Sequence, residues 1–302
     1  MTQSPSITHP LPDLPKEIKS AEHHFLLMRN VHVALGERIV LHDINLSIRS
    51  GEHVAILGPN GCGKSTLIRT MTCELYPIIP AAGDHSQPGQ PRPEISIFGR
   101  ARWDLTELRK HFGVVSDNLP GLQSLNSRAP DSAGSTVGQT TGLNAVIAGF
   151  FSASTLWPNL IVTEEMRHRA AEALERVHAS YLSAQLVSEM SAGEKRRILI
   201  ARALAHRPRQ LLLDEPSNAL DLAAQRDLRE SMRSLMNQGT GLILVTHHLA
   251  DIPPEIDRII LMRSGRILSD GPREQLLTSP ILSNLFGTEV RIGQQNGWLH
   301  SW

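Results

Sequence analysis

Cysteine is scarce in this 302-residue sequence, which contains only Cys62 and Cys73. Two cysteines are too few for a disulfide framework, and this favours the reducing cytosol. An excess of one charge is also missing, because 30 lysines and arginines balance 30 aspartates and glutamates. A neutral chain has no bulk attraction for nucleic acid or for an anionic membrane surface, so we expect no direct nucleic-acid partner.

Long apolar runs are missing as well. The best candidate, residues 142–151, is much shorter than the roughly 18 residues that a membrane span requires. Residues 1–24 contain four prolines and no apolar core, so they predict a flexible tail rather than a secretory signal. Apolar residues still make up 40% of the chain, which is ample for a folded core. We therefore expect any work at a membrane to be done through a partner.

Hydrophobic periodicity predicts strands of two kinds. Residues 25–33 and 41–48 alternate apolar with polar side chains, as expected for an antiparallel sheet with one solvent-exposed face. The aliphatic runs 211–213 and 242–245 are unbroken, which favours parallel strands buried on both faces. Polar residues follow both runs, at the strand ends where ligands bind in open α/β sheets.

The other segments predict helices, loops and one more hairpin. The proline-rich stretch 77–93 and the Ser-, Gly- and Thr-rich stretch 124–142 predict surface insertions. Residues 258–269 predict a hairpin around Ser264-Gly265. Helices are predicted over 64–74, 164–186 and 192–206.

Residues 58–65 (GPNGCGKS) fit the phosphate-loop pattern G-x-x-x-x-G-K-[ST] between a predicted strand and a predicted helix. In such a loop, backbone N–H groups and the helix N-terminus surround phosphate oxygens. Lys64 would reach the β- and γ-phosphates, and the Ser65 hydroxyl would hold Mg²⁺. The alternative is a glycine-rich turn that happens to precede Lys-Ser, and the strand–loop–helix context favours the phosphate loop.

Asp214 and Glu215 follow the buried run 211–213. A carboxylate at this strand end can hold the Mg²⁺ that Ser65 also contacts, which predicts that role for Asp214. Glu215 points to the other side of the strand and is predicted to be the general base that polarises an attacking water. The alternative is a pair of solvated acids at a strand exit; the phosphate loop upstream favours the metal and base roles.

Ser191 and Glu194 form a predicted capping box at the start of the helix 192–206. The same helix N-terminus, with the Ser191 hydroxyl and the Gly193 backbone, could also bind phosphate. The two interpretations are compatible, and the residues alone leave both open.

Taken in order, these motifs resemble those of the ATP-binding cassette (ABC) ATPases across about residues 25–287. Residues 191–194 (SAGE) look like the family's signature, 211–215 like its Walker B motif, 217–221 like its D-loop, and His247 like its switch histidine. The nucleotide contacts implied by the Walker A likeness are Gly58, Pro59, Asn60, Gly61, Cys62, Gly63, Lys64, Ser65 and Thr66.

The resemblance implies an α/β fold: a P-loop NTPase core with a mainly parallel sheet, an N-terminal antiparallel β-subdomain and an inserted α-helical subdomain at about 116–190. Residues 288–302 would form a C-terminal tail. ATP with Mg²⁺ would bind between two copies in a head-to-tail homodimer. Ser191, Gly193 and Glu194 of one copy would face the phosphate loop of the other. His247 would contact the γ-phosphate, and Glu215 and Lys64 would complete the catalytic set.

The family likeness implies an ATP-hydrolysing subunit that powers a separate transmembrane permease. It would be cytoplasmic and peripheral to the inner membrane through that permease. One alternative is a soluble ABC ATPase acting on a ribosome or another cytosolic assembly, and another is an ATP-binding switch with little turnover. Residues 246–249 (THHL) followed by 253–255 (PPE) are also similar to a single-cassette bacterial branch related to molybdate and iron-chelate importers.

Three positions depart from the family pattern. Asp117 stands where a glutamine is usual, and it is either an extra oxygen ligand for Mg²⁺ or a solvated carboxylate. Leu35 replaces the aromatic residue expected to stack on adenine, which predicts weaker or less base-selective nucleotide binding. Ala192 replaces the first signature glycine. Cys62 is predicted to be a small filler of the loop, and oxidative inactivation at its thiol is the alternative hypothesis.

Overall fold

The computed structural model describes residues 24–79, 92–116, 140–153 and 155–302. The predicted N-terminal tail up to residue 23, most of both predicted insertions, and Asp117 lie outside these ranges. The α/β fold class is confirmed, with a mostly parallel sheet, a separate antiparallel sheet and surrounding helices.

The strands form three sheets, and their order along the chain fixes the labels used below. They are β1 (His24–Leu35), β2 (Arg38–Arg49), β3 (Val54–Leu57), β4 (Glu94–Ile97), β5 (Phe112–Val115), β6 (Gln210–Asp214), β7 (Gly241–Thr246), β8 (Arg258–Arg263), β9 (Arg266–Pro272), β10 (Ile292–Gln295) and β11 (Trp298–Ser301).

The helices lie mainly in the second half of the chain. They are α1 (Lys64–Met71), α2 (Leu105–His111), α3 (Gly142–Ile147), α4 (Glu164–Arg176), α5 (Ala192–Leu204), α6 (Leu222–Asn237), α7 (Arg273–Leu276) and α8 (Ser279–Phe286). Short 3-10 turns cover Ala148–Phe151, Ser180–Leu182, Val187–Glu189 and Leu249–Asp251.

The central sheet has the order β5-β6-β7-β3-β8-β9. All neighbours in it are parallel except β9, which forms the predicted hairpin with β8. Leu57 lies opposite Thr246, and Asp214 lies opposite Val245. Because the carboxyl ends of parallel strands share one edge, the phosphate loop after β3, the acids ending β6 and His247 after β7 meet there.

The antiparallel sheet has the order β2-β1-β4. The two strands predicted to share a half-exposed antiparallel sheet, now β1 and β2, therefore pair as expected. The edge strand β4 had no counterpart in the predicted elements. Apolar side chains between this sheet and the central sheet form one core cluster, which includes Phe25 and Phe112 with ring centroids 4.6 Å apart. A second cluster packs helices α3 to α6 against the other face of the central sheet.

Two predicted helices end earlier than expected, and for the same reason. Helix α1 ends at Met71 and α4 at Arg176, instead of near 74 and 186. Both close in a Schellman motif, with left-handed Cys73 and His178 (φ 59° and 54°) just beyond the cap. In the second motif, Ala179 N–H donates to Leu174 O at 2.8 Å and His178 N–H to Glu175 O at 2.9 Å. Glycine, the usual signal for such an ending, is replaced by other residues at both positions.

The C-terminal segment departs from the predicted tail. Residues 292–301 form the antiparallel pair β10–β11, and Leu299 is buried against the helical core. Within the described ranges, none of the helices is long and apolar enough to cross a membrane.

Candidate nucleotide-binding site

A cavity of about 440 Å³ opens at the carboxyl edge of the central sheet. It brings together residues from the phosphate loop, the end of β6, strand β2 and the segment after Glu215. Its lining residues are Val40, Asn60, Gly61, Gly63, Lys64, Ser65, Thr66, Asp214, Glu215 and Asn218. Val40 and Asn218 were not among the predicted site residues. Asn218 lies in the D-loop-like motif 217–221, which could have indicated it, whereas Val40 belongs to none of the motifs.

The phosphate loop needs its glycines for backbone geometry. Gly61 and Gly63 have φ values of 76° and 107°, where residues with a Cβ are strained. A Cβ on Gly58 would lie 2.4 Å from the carbonyl oxygen of Met262, so the loop lies directly against β8. The β8–β9 turn also fixes the loop, because Gly265 N–H donates to Cys62 O at 2.8 Å.

Helix α1 begins at Lys64, immediately after left-handed Gly63, and no side-chain hydrogen bond caps it. The first N–H groups of a helix have no intrahelical partners and carry a partial positive charge. Lys64, Ser65 and Thr66 from this first turn all line the cavity. The cavity is therefore built to accept an anionic group such as a phosphate.

The Lys64 ammonium group is buried and held by its own loop. Its Nζ donates to Gly58 O at 2.8 Å and to Pro59 O at 3.3 Å, and lies 3.4 Å from Glu215 Oε1. The side chain is only 7% exposed. A buried charge needs such compensation, and a phosphate entering the cavity can replace these contacts with a stronger ion pair.

Glu215 also contacts the predicted switch histidine. His247 Nδ1 lies 2.6 Å from Glu215 Oε2, within hydrogen-bond distance. Glu215 has a left-handed backbone, with φ 44°, and its N–H donates to Val245 O at 2.8 Å. A non-glycine residue at such a φ is uncommon and is held by its surroundings. The structure thus joins Lys64, Glu215 and His247 in one contiguous cluster.

Asp214 and Ser65 line the same cavity and offer the carboxylate and hydroxyl oxygens that Mg²⁺ prefers. Asp214 is nearly buried, and the Ser116 hydroxyl donates to its Oδ2 at 2.7 Å. The donor set therefore fits a magnesium ion. Ser116 is a site residue that the motifs did not single out, because 98 positions separate it from its partner in the chain.

The predicted signature residues lie away from this cavity. Ser191 caps α5: its hydroxyl accepts from Glu194 N–H, and the Glu194 carboxylate accepts from Ser191 N–H at 2.8 Å. The hydrogen bonds from the Ser191 backbone and hydroxyl lower the pKa of the Glu194 carboxyl. Gly193 allows α5 to approach α6, because a Cβ there would lie 2.7 Å from the Ala224 Cβ. The capping box is confirmed, and nucleotide contact by these residues stays a prediction.

Two further positions bear on the cavity. Cys62 is 4% exposed, and burial raises the pKa of its thiol, which opposes the thiolate form needed for oxidation. Leu35 is 41% exposed at the end of β1 and is absent from the cavity lining described above.

Comparison with known proteins agrees with this geometry. The family model described as "ABC transporter" matches residues 41–218. The hemin import ATP-binding protein HmuV of Photobacterium damselae subsp. damselae is 32% identical over 281 residues, covering 90% of this chain and 93% of that protein. The protein of the same name from Shewanella denitrificans is 34% identical, covering 86% and 92%.

Solved structures give the same result for the fold. The post-hydrolysis dimer of the ATP-binding cassette MJ0796, bound to ADP and Pi, has 26% identity and a TM-score of 0.59, covering 82% of this chain and 98% of its own. The structure of cbiO1 from Clostridium perfringens, part of the ABC transporter complex cbiONQ, has 22% identity and a TM-score of 0.66, covering 87% and 94%.

Proposed function

This chain belongs to the ABC transporter family, and from that premise we propose that it is the ATP-hydrolysing subunit of an importer, driving a separate membrane permease. Membership makes it an ABC-type ATPase that binds ATP. The observation that carries the assignment of the site is the Lys64–Glu215–His247 cluster, of which Lys64 and Glu215 line the 440 Å³ cavity.

In the proposed mechanism, the phosphate loop and the α1 N-terminus bind the triphosphate, and Lys64 leaves its loop carbonyls to contact the β- and γ-phosphates. Glu215 orients and polarises the attacking water as general base. His247 holds Glu215 and contacts the γ-phosphate. Ser65 and Asp214 would hold Mg²⁺, which supplies positive charge to the phosphate oxygens when bound.

A second copy would complete the site. Ser191 is exposed at the start of α5, away from its own cavity, so its hydroxyl is accessible to another chain. We propose that it faces the phosphate loop of a second copy, with the Gly193 backbone, in a head-to-tail dimer. The dimeric structures of MJ0796 support this proposal, because a related cassette forms a dimer and is bound to ADP and Pi in one state.

The permease would dock in a groove between the core and the helical region. This groove has an apolar floor from α2, β5 and α5, with Leu108, Phe112 and Leu199 among its residues. Arg109, Arg202 and His206 stand around it, while Glu74 is the one carboxylate among the groove residues described. Its chemistry fits a helix from the permease with apolar contacts and an acidic residue.

The imported substrate belongs to the permease and not to this chain. Several relatives are hemin import ATP-binding proteins, so we propose a metal chelate of that kind as the cargo of the complex. On this proposal the chain lies on the cytoplasmic side of the inner membrane and reaches it through the permease.

Cross-linking tests the permease assignment. Exposed Ser152 of the groove can be replaced by cysteine and labelled with a photo-cross-linker, because both native cysteines are buried. Gln295→Cys, exposed on the β10–β11 hairpin, is the matched control. In membranes of the host, we expect the Ser152→Cys protein to cross-link to a polytopic membrane protein and the control not to.

Other outcomes would decide against the permease. Adducts with ribosomal or other soluble proteins alone, specific to the groove position, would favour the soluble alternative. Equal labelling from Ser152→Cys and Gln295→Cys would remove the groove as the docking site.

A further inference from the structure

Asp251 is a buried carboxylate behind the Glu215–His247 pair and has no part in the motifs. Its side chain is 3% exposed and lies in the 3-10 turn Leu249–Asp251. Its Oδ2 accepts hydrogen bonds from the hydroxyls of Ser217 and Thr246, the latter at 3.2 Å. Both hydroxyls are themselves buried, so the three groups form a closed polar cluster inside the protein.

The two hydroxyls that meet on Asp251 come from the two segments that carry the reacting pair. Ser217 lies two residues after Glu215, and Thr246 immediately precedes His247. Thr246 Oγ1 also accepts from the His248 N–H at 3.0 Å, which closes the backbone around His247. One carboxylate oxygen therefore ties together the chain segments on both sides of the 2.6 Å Glu215–His247 contact.

Arg229 extends this cluster to the C-terminal hairpin. Its Nη2 lies 3.8 Å from Asp251 Oδ1 and donates to Gln225 Oε1 at 3.4 Å. Gln225 in turn donates to Leu220 O in the D-loop at 3.1 Å. The Arg229 guanidinium lies 5.6 Å from the centre of the Trp298 ring on β11, a cation–π distance.

We propose that Asp251 is a positioning residue for ATP hydrolysis. Through its hydrogen bonds to Ser217 and Thr246, it holds Glu215 and His247 in their positions relative to each other. Arg229 and Trp298 hold Asp251 from the outer side, so the C-terminal hairpin supports the catalytic edge. Asp251 itself is not among the residues that line the cavity. This role rests on the proposed functions of Glu215 and His247.

The test uses single variants of the full chain, each of which alters one member of the Ser217–Asp251–Thr246 cluster. Ser217→Ala and Thr246→Val delete a hydroxyl and retain most of the side-chain volume, while Asp251→Asn removes the charge. Ser231→Ala is the control, because that buried hydroxyl donates to the Asp227 carbonyl within helix α6 and to no other group in the described ranges. Steady-state turnover, KM for ATP, equilibrium binding of a fluorescent ATP analogue and the melting temperature are measured for each.

We expect Ser217→Ala and Thr246→Val to lower kcat at least tenfold, with KM and analogue affinity within twofold of wild type. Combining Asp251→Asn with Ser217→Ala should add little to the stronger single effect, because both changes break the same contact. Trp298→Leu should give a smaller loss of kcat. The Ser231→Ala variant should turn over ATP like the wild type.

Two results would overturn the proposal. One is a kcat within twofold of Ser231→Ala in both hydroxyl variants. The other is a loss of analogue binding or of melting temperature that accounts for the fall in rate. Glu215→Gln in the same assay distinguishes failure of the proposed catalytic site from failure of the proposed role of Asp251. If Glu215→Gln keeps wild-type turnover, the proposed site is wrong, and the role of Asp251 is wrong with it.

Discussion

The nucleotide cavity and the docking groove are both concave and both contain cations, but they are built in different ways. In the cavity, five of the lining residues come from the eight-residue phosphate loop 58–65, and the Lys64 ammonium group is hydrogen-bonded to two loop carbonyls and paired with Glu215. The groove draws on α2, β5, the 3-10 turn after α3 and α5, and its half-buried Arg202 donates hydrogen bonds to the carbonyls of Ala145 and Ala153.

The difference between the two sites also appears in their electrostatics. In the cavity, the Glu215 carboxylate and two loop carbonyls lie beside the Lys64 ammonium group, and in the proposed mechanism the phosphates take the place of those carbonyls. In the groove, burial and the nearby Arg109 lower the pKa of Arg202 to about 10, and it remains protonated at neutral pH. Cations that crowd each other in an apolar setting favour an acidic partner. On the proposed function, both sites bind an anion: the cavity binds a nucleotide, and the groove binds a carboxylate of the permease.

The largest expected effect is at the cavity. Glu215→Gln removes the general base but keeps the shape and the hydrogen-bonding side chain, so ATP should still bind while turnover falls at least a hundredfold, about 3 kcal/mol in the barrier. Phosphate release measures the loss of turnover, and binding of an ATP analogue to the same preparation measures the retained affinity. Turnover within tenfold of wild type would mean that another group activates the water.

The next largest effect is in the groove and depends on pH. Burial, with a smaller contribution from Lys110, lowers the pKa of His206 to about 4, below the ordinary value near 6.5. Between these values the unfolded chain binds a proton that the folded chain does not, so stability falls as pH falls from 6.5 towards 4. The fall from this residue should be roughly 2–3 kcal/mol.

Chemical unfolding at pH 7 and pH 5 measures this loss. His206→Gln should make stability less pH-dependent, whereas the exposed His168→Gln should leave the dependence as in wild type. An equal pH dependence in both variants would contradict a neutral His206. Burial also lowers the pKa values of His53 and His111, so part of the acid sensitivity should persist.

A smaller effect is expected from a charge reversal in the groove, which should change docking of the permease without changing ATP turnover in the cavity. Arg109 is exposed at the groove, and Arg109→Glu places a carboxylate where the partner's acidic residue would dock. We expect cross-linking from Ser152→Cys to fall about tenfold, or about 1.4 kcal/mol, with basal ATP turnover within twofold of wild type. A parallel loss of basal turnover would show that the groove and the cavity are not independent.

The smallest effect should be at Leu35, the exposed last residue of β1. Leu35→Tyr places the aromatic side chain of the family pattern on an exposed position. Stacking on adenine should then tighten the binding of ATP about fivefold, or about 1 kcal/mol. The discriminating measurement compares the affinity for ATP with the affinity for a triphosphate that has no base to stack. No gain for Tyr would mean that the base lies elsewhere, for example beside Val40.

The sequence predicted the cavity better than the groove, because the cavity depends on short motifs. Gly61 and Gly63 were predictable as loop residues, and Asp214-Glu215 as a strand end, since each needs only its immediate neighbours. Ser116 and Asp251 were not, because their partners lie 98 and 34 positions away and no local pattern records such contacts. The groove has the same difficulty, because chain-distant segments build it.

The limits of local signals also explain the errors in secondary structure. Helices α1 and α4 end at left-handed Cys73 and His178, where the usual glycine signal is missing, so periodicity alone extended both. The hairpin β10–β11 was predicted as a tail because its strands are short, and its Leu299 is buried by contact with a distant core. Asp117 lies outside the described residues, and its predicted role as a metal ligand stays a prediction.

The central claim is that two copies of this chain close on ATP at the cavity and that Glu215-dependent hydrolysis reopens them. The molar mass of the Glu215→Gln protein by light scattering, with and without ATP and Mg²⁺, tests it most directly. The account predicts about 33 kDa without nucleotide and about twice that mass with it. A protein that binds ATP but keeps the mass of a single chain would contradict the account.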